Sequence, residues 1–204
     1  MMHKFYVFGL QRSGTNFFRS LLTENFDVQV ANDKGTWWHY NKPPFQNMKA
    51  HKAFVVYKNP YQWIESIVYR NSADIIPTNI NTYDLEFPDG YMINGINLER
   101  LCRLYADFGL NWKHSHFINV RYEDLIEEET RNSLLSSLTY VRKNDTTWKI
   151  PNGVFMSEKF DVGQVDYYKK KTIQYLKQEE LDLINKIIPD IVFETIGYKR
   201  VFGG

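Results

Sequence analysis

Gly9, Arg12, Ser13, Gly14, Thr15 and Asn16 stand together in the stretch FGLQRSGTNFFRSLL, residues 8–22, and their types and spacing suit the capture of an anion. A strand-like run, Phe5-Tyr6-Val7-Phe8, meets Gly9, and Gly14-Thr15-Asn16 then opens an amphipathic stretch, which is the outline of a phosphate-binding loop. In such a loop, backbone N–H groups at the start of a helix point into a concavity and the helix dipole adds positive potential. A phosphate is then held with few side chains. Thr15 stands where a nucleoside-triphosphate enzyme carries lysine, and the loop's cation is Arg12, two residues before Gly14. A plain strand-turn-helix with a tight glycine turn would show the same pattern.

A second stretch, VVYKNPYQWIES at residues 55–66, places Lys58 at the carboxyl end of a strand. Ser66 follows eight residues on, on the helix behind it. Charge and hydroxyl together could clasp a second phosphate. Taken alone, the pair equally fits a solvated lysine and a serine satisfied within its own helix.

QRSGTNF and VVYKNPYQWIES, followed by VRYEDL at 120–125 and IGYKRV at 196–201, resemble in that order the sulfotransferase family, whose donor is 3′-phosphoadenosine 5′-phosphosulfate (PAPS). The resemblance runs over nearly the whole chain and implies a sulfuryl transfer to an acceptor hydroxyl or amine, on a small molecule or a glycan. By that likeness Arg12, Ser13, Gly14, Thr15 and Asn16 hold the 5′ phosphosulfate end of the donor, and Lys58 and Ser66 grip its 3′-phosphate. His39, in GTWWHYNKPPF, has the placement of the family's catalytic histidine, a general base for the acceptor, with Lys42 an auxiliary cation. His51, directly before the strand that ends at Lys58, falls at the far end from the chemistry. The basic run Lys169, Lys170 and Lys171 corresponds to the family's loop over the 3′-phosphate, and read by itself is a solvated charge run.

Two positions depart from the family. Lys58 stands where arginine is usual, and a point charge cannot make the bidentate fork. Arg12 stands where many relatives have lysine, which keeps the charge but restricts proton donation to the leaving phosphate. Catalysis at that position would be electrostatic. No metal is expected, because a sulfuryl group carries less charge than the phosphates that a kinase neutralises with Mg²⁺, and His39 and His51 lack metal-ligand spacing. Glu123 and Asp124 read as caps or ion-pair partners at a strand-to-helix junction. Trp37, Trp38 and Trp63 suit either stacking on adenine or acceptor, or packing. Two other readings remain: a P-loop small-molecule kinase, which would need Mg²⁺, and a nucleotide-binding module without transferase activity.

These residues need a scaffold, and 204 residues with 43% hydrophobic and 16% aromatic side chains are enough for one domain over residues 1–204. A net charge of +1 gives no field of the kind that nucleic acids select. A single cysteine, no apolar run of membrane-spanning length and no signal-type segment point to a cytosolic protein without a membrane span. Strands are expected at 4–9, 27–31, 53–57 and 116–120. Helices are expected at 14–24, from Pro60 through Arg70, around Leu101–Trp112 and at 132–141. Residues 33–52 form a long loop, and 71–94, with Tyr83, Phe87 and Tyr91, a surface excursion lining the acceptor pocket. Residues 143–170 are largely loop. The alternation predicts a P-loop-NTPase-like α/β fold, a parallel sheet with helices on both faces in three layers.

Overall fold

Successive residues of the first strand face opposite ways, and both sets are apolar, so the strand must be covered on two sides. A computed structural model describes residues 3–10, 12–31, 52–68, 83–86, 92–112, 117–144, 147–151, 173 and 175–201. Four strands, β1 (His3–Phe8), β2 (Val28–Val30), β3 (Lys52–Tyr57) and β6 (Ile118–Arg121), form one all-parallel sheet in the order β2-β1-β3-β6. Phe5 pairs with Lys52 and Phe8 with Val55 between β1 and β3, and Tyr57 pairs with Arg121 between β3 and β6. The fold is α/β, with seven helices among the described residues.

One face of the sheet presents Phe5, Val7, Phe54, Val56 and Val120 to α1 (Thr15–Asn25), α4 (Tyr122–Ile126) and α5 (Glu128–Ser137). Phe17, Phe18, Leu21 and Leu22 of α1 complete that core, as their helical spacing predicts. The other face presents Tyr6, Phe8, Val55 and Tyr57 to α2 (Pro60–Val68), α3 (Leu98–Trp112), α6 (Gln178–Ile187) and α7 (Asp190–Ile196). Gly109 lets α3 and α7 approach, since a Cβ there would lie 2.6 Å from Val192 Cγ1.

Three regions differ from expectation. Within 71–94, expected as a surface excursion with no strand assigned, lie most of an antiparallel pair, β4 (Tyr83–Glu86) and β5 (Met92–Ile96). The helix expected at 132–141 runs from Glu128 to Ser137, because Glu128 and Glu129 supply the acidic first turn that a helix dipole favours. Helices α6 and α7 and the turn between them carry Ile184, Ile188, Val192 and Phe193 into the core, where no helix was expected.

The sheet order matters for function. From β1 the chain passes through α1 to β2 on one side, while the neighbour of β3 on the other side is β6. The connections therefore part between β1 and β3. In open α/β sheets ligands bind outside the carboxyl ends of the strands at such a switch point.

Candidate functional site

The loop after β1 is shaped by two left-handed residues. Arg12 has φ 67° and Gly14 has φ 91°, and between them the amide of Ser13 donates to the Leu10 carbonyl at 3.0 Å. Glycine at 14 is required twice over. Its φ favours a residue without a side chain, and a Cβ there would lie 2.0 Å from Cδ2 of Tyr122. Gly9 packs against β3, since its Cβ would meet Val56 O at 2.7 Å. Gly14 also ends the loop as the N-cap of α1, with no side chain capping the first turn. Ser13 is buried, and its Oγ and the Oδ1 of Asn16 have no hydrogen-bond partner among the described residues. An uncapped helix N-terminus beside an unpartnered serine hydroxyl, which can donate, has the chemistry of an anion cradle; the Asn16 Oδ1 is an acceptor and does not add to it.

Lys58 follows β3 at the same end of the sheet, only 1% exposed. Burial pushes its ammonium down to about 7; Glu123 and Glu65 act to raise it and Arg12 to lower it. Arg12 and Lys58 are thus near enough to repel each other. The Lys58 Nζ also lies 5.7 Å from the centre of the Tyr122 ring, within cation–π range. Two cations from adjacent strands converge at the switch point, and a multivalent anion there would relieve both their repulsion and the loss of hydration at Lys58.

The backbone that carries Lys58 is held from several sides. Tyr105 of α3 donates its hydroxyl to the Lys58 carbonyl at 2.5 Å. One carboxylate oxygen of Glu123 accepts the Asn59 amide at 2.9 Å, and the other accepts the hydroxyl of Tyr198. That hydroxyl is also 3.5 Å from the Tyr57 carbonyl. Burial raises the Tyr105 and Tyr198 hydroxyls well above the ordinary phenol range, so both stay protonated. Asn59 Oδ1 accepts the Tyr61 amide at 3.0 Å and starts α2.

Of the acidic pair in VRYEDL, Asp124 is the ion-pair partner that the sequence predicts, forked by Arg121 at 2.8 and 2.6 Å. Glu123 is different. It reaches across to β3 and to the C-terminal segment instead of serving its own helix, a role that local sequence could not reveal because its partners lie 64 and 75 residues away. Of the two readings open for Trp63, packing is the one observed: it is buried against Tyr105, with ring centres 5.3 Å apart, and belongs to the core. Ser66 lies two turns along α2 from Lys58, half-buried, and donates its hydroxyl to the Trp63 carbonyl at 2.7 Å. A phosphate would have to win that proton from the helix.

His39, Lys42, His51, Trp37, Trp38 and Lys169, Lys170 and Lys171 lie outside the described residues, as do Phe87, Tyr91 and the side chain of Tyr83. Past the basic run, the Tyr175 amide donates to buried Glu65 of α2 at 2.6 Å. No helix among the described residues is long and apolar enough to cross a membrane, and none of their His, Cys, Asp and Glu side chains gather in threes as a metal site would require. Comparisons with models of known protein families, with curated proteins and with solved structures found no match.

Proposed function

We propose that the chain is a sulfotransferase that moves a sulfuryl group from PAPS to an acceptor hydroxyl or amine, on a P-loop-like scaffold. The observation that carries this reading is the convergence of Arg12 and Lys58 beside the uncapped N-terminus of α1, at the switch point of a parallel sheet. Thr15, at the start of that helix, leaves the loop without the lysine that a triphosphate would need. The residues fit a nucleotide carrying separate phosphates better than a triphosphate chain, because the two cations come from two different strands. PAPS would supply the activated sulfuryl group.

On this reading the amides of residues 13–16 bind the 5′ end and Arg12 stabilises charge on the departing phosphate. Lys58 binds the 3′-phosphate and so holds the donor in line. Ser66 joins it by turning its hydroxyl away from Trp63. Lys169, Lys170 and Lys171 close over the same phosphate, and the anchoring of Tyr175, four residues after Lys171, on Glu65 beside Ser66 is consistent with that role. His39 takes the acceptor's proton. The acceptor is a small molecule or a glycan.

A thermal-shift titration tests the reading, because a ligand that binds only the folded state raises the melting temperature. The spent donor, 3′-phosphoadenosine 5′-phosphate (PAP), should stabilise the protein without added metal. Stabilisation by ATP with Mg²⁺ alone would instead identify a variant kinase site. His39→Ala should keep PAP affinity and lose roughly 10²- to 10⁴-fold in turnover of a sulfuryl acceptor; full turnover would reassign the base.

A further inference from the structure

Glu123 touches both the segment that follows β3, at Asn59, and the C-terminal segment, at Tyr198. Its two oxygens are divided between the Asn59 amide and the Tyr198 hydroxyl, so its orientation is fixed from both sides. The Lys58 ammonium is faced by Arg12 from the loop, Glu65 from α2 and Glu123 from α4, and lies against the Tyr122 ring; Tyr105 of α3 donates to the Lys58 carbonyl and Tyr198 to the Glu123 carboxylate. Tyr57, Tyr105 and Tyr198 are held in the neutral phenol form by burial, which leaves Glu123 and Glu65 as the negative charges on Lys58. Glu65 accepts the Tyr175 amide, whereas Glu123 is bonded to the residue next to Lys58.

From this geometry we infer that Glu123 is the positioning residue of the anion site, fixing the end of β3 and acting as counter-charge to the Lys58 ammonium, and that Tyr198 locks it in that posture. The inference rests on Lys58 being the anion-binding cation of the proposed site. A buried lysine that gives up its proton cannot hold a phosphate by charge. Of the charges around Lys58, Glu123 acts most strongly in favour of the protonated form. Burial has the larger influence and favours loss of the proton; the carboxylate opposes it and so widens the pH range over which the site attracts an anion, and the Tyr198 hydroxyl holds the carboxylate in place.

The test reads Lys58 directly, without donor, by NMR titration of protein labelled at lysine Cε, the resonance being identified by its loss in Lys58→Met. Glu123→Gln keeps the shape and removes the charge, and should lower the Lys58 midpoint by about 1 pH unit. Tyr198→Phe leaves the charge but frees the carboxylate, and should lower the midpoint by less. A merely structural role would change stability without moving the midpoint. An unchanged midpoint in folded Glu123→Gln overturns the inference. Should that variant not fold, an unchanged midpoint in Tyr198→Phe does so. PAP titrated into the unmodified protein is read separately. If PAP fails to bind while the midpoints move, the donor reading falls and the pairing of Glu123 with Lys58 stands.

Discussion

Strand β3 begins with one lysine over a tyrosine ring and is followed by another. At its amino end Lys52 Nζ lies 4.8 Å from the centre of the Tyr140 ring and donates to Thr139 Oγ1 at 2.8 Å, half-exposed. At its carboxyl end Lys58 lies over Tyr122, buried and close to a second cation. The rest of each end follows suit. Near the amino end, where α1 stops, Asn25 donates to the carbonyls of Leu21 and Lys149, both at 2.8 Å, and accepts the Lys149 amide at 2.7 Å. Close by, the Arg142 guanidinium sits 3.8 Å over Trp148. At the opposite end of the same helix, the loop holds a left-handed arginine and a buried serine hydroxyl without a partner among the described residues. The amino end pairs its lysine and asparagine within the fold, although the Tyr140 hydroxyl and Arg142 Nε lack hydrogen-bond partners among the described residues there too. The carboxyl end sets a left-handed arginine near a buried lysine, an arrangement that an anion would reward.

The largest expected effect separates the two lysines. Lys58→Ala should weaken PAP binding by about 100-fold or more in calorimetric titration, as loss of one member of a buried charge pair does. Equal binding would remove Lys58 from the site. Asn25→Ala should act in the opposite sense, leaving PAP affinity within about twofold while costing about 2 to 3 kcal/mol, since the Lys149 amide is left without its partner. In a chain of this size that is roughly 5 to 10 °C in melting temperature.

A smaller effect concerns pH. The unfolded chain keeps the Lys58 proton up to about 10.5 and the folded chain releases it near 7. Between those values the unfolded state binds more protons, so this group makes stability rise with pH, by at most about 1.4 kcal/mol per unit. The comparison is best made from pH 7 to about 8, where an unfolded cysteine thiol is still mostly protonated. Lys58→Met should flatten that slope, and so should saturating PAP, which keeps the ammonium charged. An identical slope in Lys58→Met would show that the buried ammonium keeps its proton throughout. Smallest of all, Lys52→Ala should cost less than about 1 kcal/mol and leave PAP affinity alone. A large loss of affinity there would erase the contrast between the two ends.

What could be read from the residues follows the range of their interactions. The loop, β1, α1, β3 and the start of α2 were legible because glycine, proline and apolar spacing act locally. Phe17 to Leu22 lie in the core where their period puts them. The β4–β5 pair was also signalled, by Pro88-Asp89-Gly90 between two apolar runs, a turn signature outweighed by the polar composition around it. Glu123 was not legible. Its character depends on Asn59 and Tyr198, far away in sequence, and beside Asp124 it looked like a helix-capping acid. Trp63 was ambiguous for a similar reason, since only the packing of α3 on α2 decides whether an indole is core or platform.

The tie between Tyr198 and the end of β3 also orders events during synthesis. Tyr57 and Tyr198 are 141 residues apart. At about 5 to 20 residues per second, the ribosome takes roughly 7 to 28 seconds to pass from one to the other. For that interval a nascent chain already carries the loop, α1 and Lys58, but not the hydroxyl that locks Glu123. On the proposed reading, anion capture would therefore await the same last stretch of chain that completes the core with Val192, Phe193 and Ile196.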